Sequence, residues 1–502
     1  MATTATRVEA RTESGVVAGL ERAGIAVFPS VPFAAAPYGE RRFELAQPVE
    51  PWDGTRDVTA TGVGYLQPWR RDDPWDGYVN PGRQGEDLLS LQITTPDLGA
   101  AGLPVMVWIH GGAFVSGVGS APASRGDSFA RDGVVHVSVN YRMSLDGYTL
   151  LEDSIETGTE NLGLRDQLAA LRWVQRNIAA FGGDPARVTV AGQSAGAVSV
   201  GYLLSSPLAR GLFQRAIIQS GFPSLIRTVS EAEARFAAVA EAAGRPATRA
   251  ALRDLTIDQS RDVVARLHDD FERDLYSGRA ALSDSVFSGV SGTESLPVGI
   301  AEGLVEGAGS HIPILIGNTR DEASGIVERM GLIEASRSPI ARAIATDLGA
   351  PADAAERYRA ASRAGAGDGV ILNAVFTDVT ARMPAIDILS RRSGLGYLYE
   401  FAWQSPGRPA GLGADHVVDV PFMQHDFESF RDAAPIGNTI LGDHPPVALA
   451  EAMHGAFVDF VRTGEPGWAP YTNVDRMTMR FDTDSAVLSD PAQAEREIWE
   501  GQ

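Results

Sequence analysis

Short apolar runs and longer amphipathic stretches alternate along much of this chain of 502 residues. Val105-Met106-Val107-Trp108-Ile109, Val134-Val135-His136-Val137-Ser138-Val139, Val188-Thr189-Val190, Ala216-Ile217-Ile218, Ile314-Leu315-Ile316 and Tyr397-Leu398-Tyr399 read as short buried strands. Helical patterns separate several of them. The clearest runs from Leu164 to Phe181, with Leu168, Leu171, Val174 and Ile178 on one face, and stops at Gly182-Gly183-Asp184-Pro185. This alternation predicts an α/β fold: a large, mostly parallel central sheet covered by helices on both faces, with functional groups at the strands' carboxyl ends. Residues 230–279 and 323–369 are helical in pattern, alanine-rich and free of strand signals. They are expected to be inserts covering the site of a single domain spanning 1–502.

One strand-to-helix junction carries a chemical signature. Gly192-Gln193-Ser194-Ala195-Gly196 follows the β-branched run Arg187-Val188-Thr189-Val190 and leads into a helix-compatible stretch, Ala195 to Leu204. A serine at such a turn is a candidate nucleophile, because the sharp elbow exposes its hydroxyl and the flanking glycines remove side chains that would clash there. The turn also aims the Ala195 N–H at an oxygen that becomes negative during reaction. A second donor set is expected in His110-Gly111-Gly112-Ala113-Phe114, which follows the strand ending at Ile109. Gly112 and Ala113 there can turn successive N–H groups toward one point.

A serine hydroxyl needs a base within reach, and the base needs a group to orient it. In elbow-bearing sheets these follow in the order serine, acid, histidine. His416, which follows the strand Tyr397 to Trp403 after a Gly/Pro-rich loop, fits best, with His425 second. His268 falls in an insert helix and His311 precedes the strand expected to carry the acid. His454 lies in an amphipathic helix from Val447 to Arg462, and His444 in a loop. For the acid, the strand at Ile314 is followed by Asp321-Glu322. Spacing does not choose between them; one is expected to cap the following helix or to be solvated.

Composition narrows the chemistry. The chain has no cysteine, which excludes thiol nucleophiles, disulfides and cysteine-bound zinc. Its 64 acidic and 43 basic residues give a net charge of −21, unfavourable for nucleic-acid or anionic-membrane partners. That charge serves solubility or steers cationic substrates. No apolar stretch approaches the ~20 residues that cross a bilayer. The first residues lack the apolar core of a secretory signal, so a cytoplasmic protein is expected.

With these residues in hand, the chain resembles the type-B carboxylesterases, a family of α/β-hydrolases that includes bacterial para-nitrobenzyl esterases and the cholinesterases. The matching segments are Phe28 to Ala34, Glu86-Asp87-Leu88, the His-Gly-Gly-Ala-Phe loop, Asn140-Tyr141-Arg142, Asn161 to Gln167, Phe181 to Pro185, the elbow, Phe213 to Ala216, Gln219-Ser220-Gly221 and Asp321-Glu322. The resemblance implies a serine esterase without cofactor or metal, acting on small-molecule esters. It implies Glu322 as the acid, His416 as the base through Gly413-Ala414-Asp415-His416, and a supporting role for Ser220. Carbamate or activated-amide hydrolysis on the same residues is the alternative, and a catalytically silent binding module the remoter one. Three departures stand out. Leu66 and Leu88 occupy positions where relatives often carry a disulfide, so an apolar contact is expected there. Val79 stands before Asn80-Pro81 in place of a cation-binding tryptophan, which argues against choline esters. Val417 follows the catalytic histidine where glycine is usual, which is expected to crowd the alcohol side.

Overall fold

The structure is a computed structural model that describes residues 5–67, 83–121, 124–277, 285–333, 338–409, 411–433 and 435–500. Its strands are β1 (Thr6–Thr12), β2 (Gly15–Arg22), β3 (Ile25–Pro32), β4 (Thr55–Asp57), β5 (Ser90–Thr95), β6 (Leu103–Ile109), β7 (Val135–Val139), β8 (Gly183–Gln193), β9 (Arg215–Gln219), β10 (Ile226–Arg227), β11 (Gly289–Val290), β12 (Ile314–Thr319), β13 (Gly396–Phe401), β14 (Met477–Phe481) and β15 (Ala486–Ser489). Among the described residues thirteen of them form one sheet, ordered β1-β2-β3-β5-β7-β6-β8-β9-β12-β13-β14-β15, with β4 beside β2. The run from β7 to β14 is parallel throughout. The strands before it and β15 after it pair antiparallel, except β4, which lies parallel to β2.

The six strands expected from apolar runs all lie in that parallel centre. Each is buried on both faces, and its side chains divide alternately between two cores. Val105, Val107 and Ile109 of β6 enter one apolar cluster with Val188 and Val190 of β8, while Met106, Trp108 and Ala191 enter the other. The first core lies under the helix Leu162–Asn177 and the second under Val447–Thr463. In the antiparallel flank β1 alternates with exposed positions, and β5, though buried throughout, interleaves Ser90, Gln92, Thr94 and Thr95 with its apolar residues, so neither shows as an apolar run. The helix that was expected to end at Phe181 does so through a 3-10 turn, Ile178–Phe181, but the chain re-enters the sheet at Gly183, inside the expected stop.

Helices Val229–Ala243 and Ile257–Tyr276 fall in the first helical stretch, and both start on capping boxes, Thr228 with Glu231 and Thr256 with Gln259. Buried arginines pin this region to the core. Arg42 donates to Asp146 at 2.7 Å, to the Leu255 carbonyl at 2.7 Å and to Ser260 at 2.8 Å. Arg249 pairs with Asp153 and donates to the Phe43 carbonyl at 2.6 Å. The second stretch holds Ser324–Arg329, Pro339–Asp347, Ala354–Ala361 and the start of Asp368–Thr377. Leu66 and Leu88 are both buried among the residues of the first core. Val79 lies outside the described residues.

Candidate active site

The junction of β8 with the helix Ala195–Ser205 is a sharp elbow. Ser194 sits between them at φ 57° and ψ −126°, a conformation that costs a non-glycine residue roughly 1–3 kcal/mol. The surroundings hold it there. Its N–H donates to the Gln219 carbonyl on β9 at 3.0 Å, and its own carbonyl accepts from Val198 N at 2.9 Å. The helix start presses on the end of β6 so closely that a Cβ on Gly196 would stand 2.0 Å from the Ile109 carbonyl oxygen. Glycine is required there by contact.

Across the sheet, β12 and β13 deliver the other two groups. Glu322 lies three residues beyond β12, its side chain fully buried; Oε1 accepts from Thr319 N at 2.8 Å, and Oε2 lies 2.5 Å from Nδ1 of His416. His416 comes from the loop that follows β13, where its N–H donates to Asp415 Oδ1 at 2.8 Å. The Phe222 ring stacks on the imidazole, with centroids 5.5 Å apart and planes at 28°. Burial by itself would lower the His416 pKa, but the charge and hydrogen bond of Glu322, reinforced by Asp415 and Asp419, raise it above the ordinary value. Burial also pushes the Asp415 carboxyl up to about 6 and the Asp419 carboxyl up to about 7.

The adjacent carboxylates divide their work sharply. Asp321 turns away from the imidazole and is buried with Arg363 at 3.2 Å, Asn373 at 3.3 Å and Gln404 Nε2 at 3.1 Å. It also accepts from Ala414 N at 3.2 Å, two residues before His416. The expectation of a solvated carboxylate is therefore corrected: both are buried, because one holds the histidine and the other holds the loop that carries it. His425, the second candidate for the base, packs on His454 with ring centroids 5.6 Å apart. His454 is itself buried between the Met423 carbonyl and Asp132.

The loop after β6 takes three successive positive φ values, Gly112 at 116°, Ala113 at 54° and Phe114 at 59°. A Cβ on Gly112 would lie 1.9 Å from the Ser116 carbonyl oxygen, which in that tight turn leaves room for glycine alone. Val115 N and Ser116 N both donate to the Gly112 carbonyl at 2.9 Å, and Ser144 N donates to the Phe114 carbonyl at 2.7 Å. Among the described residues, no backbone carbonyl accepts from the N–H groups of Gly112, Ala113 or Ala195. Ser220, also at positive φ and buried, follows Gln219, whose carbonyl accepts from Ser194, and donates its N–H to the Gly317 carbonyl at 2.8 Å.

Three neighbours of the imidazole escaped sequence reasoning. Asp419 lies three residues after His416 and Phe222 directly after Gln219-Ser220-Gly221, but no chemistry is read at either, and only the fold brings Phe222 to the imidazole. Gln193 lies inside the elbow motif, which gives it no role; its amide nitrogen lies 3.1 Å from His416 Nε2. Its place at the carboxyl end of β8 was the available signal. Among the described residues no group of three or more His, Asp or Glu side chains is arranged to hold a metal ion, and no helix is long and apolar enough to cross a membrane.

Comparison with known proteins gives the family. The sequence profile of the carboxylesterase family matches residues 5–499. The para-nitrobenzyl esterase of Bacillus subtilis (strain 168) is 32% identical over 498 residues, covering 97% of each chain. The phenmedipham hydrolase of Pseudarthrobacter oxydans is 33% identical over 492 residues, 92% of this chain and 91% of that one. Among solved structures, the Geobacillus stearothermophilus carboxylesterase EST55 at pH 6.2 superposes with a TM-score of 0.85 at 33% identity, covering 98% of this chain and all of the other (100%). These relatives share the α/β-hydrolase fold, with the large, mostly parallel sheet seen here. Matched from end to end in sequence and in fold, the chain belongs to the carboxylesterase family and is a carboxylic ester hydrolase.

Proposed function

We propose that Ser194, His416 and Glu322 form the catalytic triad of this esterase, with the N–H groups of Gly112, Ala113 and Ala195 as its oxyanion hole and Ser220 supporting the elbow from behind. The 2.5 Å contact between His416 Nδ1 and Glu322 carries the reading, because a buried carboxylate fixes Nδ1 as the protonated nitrogen and leaves the Nε2 lone pair as base. Ser194 Oγ attacks the ester carbonyl as its proton passes to Nε2. Glu322 stabilises the imidazolium that results. The carbonyl oxygen, now negative, meets donors already aimed at it, each worth about 3–4 kcal/mol in the transition state. Collapse of the tetrahedral intermediate breaks the bond to the alcohol oxygen, which takes the proton from Nε2 and leaves an acyl-Ser194 ester. Water then repeats the sequence, giving up a proton to His416 and releasing the acid.

The substrates are small-molecule esters, and the helical stretches at 230–279 and 323–369 cover the site of a single domain spanning 1–502. The strained φ of Ser194 and the open amides of the donor loop support the assignment. Ser194→Ala tests it: burst release of p-nitrophenol from p-nitrophenyl acetate should vanish while the fold persists. A variant keeping more than about a hundredth of parental turnover contradicts the assignment.

A further inference from the structure

Gln193 has a side chain that the reaction above leaves unused. It ends β8 opposite Gln219 and is only 2% exposed. Its amide nitrogen is 3.1 Å from His416 Nε2. An amide nitrogen has hydrogens to give and no lone pair to offer, so Gln193 is the donor in this contact and Nε2 the acceptor. That is the same tautomer that the Nδ1 contact with Glu322 requires. The amide oxygen points the other way, and lies 3.1 Å from where a Cβ on Gly111 would stand. One buried side chain therefore reaches from the donor loop to the reactive nitrogen of the base.

We propose that Gln193 is a positioning residue for the base: its amide keeps His416 Nε2 unprotonated and aimed between turnovers, and yields that lone pair to the Ser194 hydroxyl when an ester binds. This rests on His416 being the base. The charged groups that face the imidazole act in the opposite sense. Glu322 at Nδ1, Asp415 next in the chain and Asp419 in the following turn all favour the imidazolium, and Arg408, 2.5 Å from Asp415, offsets part of that carboxylate's effect. A hydrogen bond given to the neutral ring favours the neutral ring. The Gln193 amide is thus the counterweight to three carboxylates. A carboxylate at position 193 would add a fourth and draw a proton onto Nε2, while a thioether of similar length would take away the donor and leave the packing.

The test is the pH profile of kcat/KM for the parent enzyme, Gln193→Met and Gln193→Glu, with His416→Gln as control. Gln193→Met should move the acid limb up by about half a pH unit and Gln193→Glu by about one unit or more, since one unit is a tenfold change in the protonation equilibrium. Activity of Gln193→Glu should be depressed at least tenfold near pH 6 and largely recovered near pH 9. A structural role alone would lower activity equally at every pH. Acid limbs of both folded variants coinciding with the parent's, or a downward shift in Gln193→Met, overturns the proposal. Should either variant fail to fold, the 15N shift of His416 Nε2 in the parent decides: a hydrogen-bonded acceptor above the acid limb is expected, and a protonated nitrogen there contradicts it. Turnover surviving in His416→Gln would instead overturn the assignment of the base itself.

Discussion

The two halves of the proposed active site are built on different principles. The serine half is local: five residues, Gly192 to Gly196, make the turn, and the glycine at 196 exists because the Ile109 carbonyl is 2.0 Å from where its side chain would begin. The histidine half is assembled over distance. Glu322 and His416 are 94 residues apart in sequence, and the loop carrying His416 is tied down at the two residues just before it, by Asp321 to Ala414 N and by Arg408 to Asp415. Arg408 reaches in turn to Glu328, and Asp321 to Arg363. Local construction tolerates little change and announces itself as a motif. Distributed construction is held by buried charges, so its failures should show first in stability and pH dependence.

The sharpest way to break that contrast is to neutralise the adjacent carboxylates one at a time. Glu322→Gln should lower kcat on the order of 10³- to 10⁴-fold with little change in melting, because the imidazolium loses its partner. Asp321→Asn should do the reverse. It leaves the Arg363 guanidinium buried without its ion partner, which typically costs about 3–5 kcal/mol of stability, while the kcat of the folded fraction stays within about tenfold. Thermal melts paired with active-site titration check both, and a kcat loss in Asp321→Asn matching that of Glu322→Gln would erase the distinction.

A smaller effect separates the halves by pH. Asp419, buried beneath the histidine, has its carboxyl pushed up to about 7 from an ordinary value of 3.8. A group raised on folding contributes stability that is fully present below the unfolded pKa and lost as pH rises through the folded one. Asp419→Asn should therefore melt above the parent at pH 8.5, with the difference disappearing toward pH 5. Equal differences at both pH values would show that Asp419 is ionised throughout. The same sign governs activity through His416: its raised pKa places the acid limb of kcat/KM above 6.5, because the protonated ring cannot act as base.

Smaller again is the strain at Val417. This β-branched residue has φ 76°, a left-handed conformation that β-branched side chains almost never adopt, and it packs against the second core. The resemblance implies glycine at this point, and the backbone conformation is one that glycine adopts freely. Val417→Gly should gain stability of about 1 kcal/mol, the released strain exceeding the added chain entropy and lost packing. Val417→Ala keeps most of the strain and loses the packing, so it should melt below Val417→Gly. The reverse order would mean that side-chain packing outweighs the backbone. The smallest effect concerns the donor loop. Two small residues at Gly112-Ala113 leave a shallow wall, so tert-butyl acetate should be hydrolysed slowly, and Ala113→Val should suppress it more than it suppresses ethyl acetate. Equal losses on both esters would assign position 113 to the oxyanion hole alone.

What could be read in advance follows the same division. The parallel centre of the sheet was legible because strands buried on both faces appear as unbroken apolar runs, and the elbow because its spacing is fixed by one turn of backbone. The antiparallel flank was not, since β1 alternates with exposed positions and resembles loop in composition. Choosing Glu322 over Asp321 required the resemblance, because two neighbouring carboxylates have the same local pattern and differ only in what the fold brings to them. Gln193 was in plain sight, but a motif defined by its glycines and serine assigns the intervening residue no work. Phe222 directly follows Gln219-Ser220-Gly221, but its stacking on His416 exists only once the chain after β9 meets the loop after β13.

The most direct test of the central claim is covalent labelling by a fluorophosphonate, followed by peptide mapping and rate measurement. Such a probe phosphonylates only a serine activated by a working base. The account predicts a single label on Ser194, formed at a rate that collapses in Glu322→Gln and in His416→Gln and persists in folded Asp321→Asn. A label on any other serine, or labelling of Ser194 at the parental rate in Glu322→Gln, would contradict it.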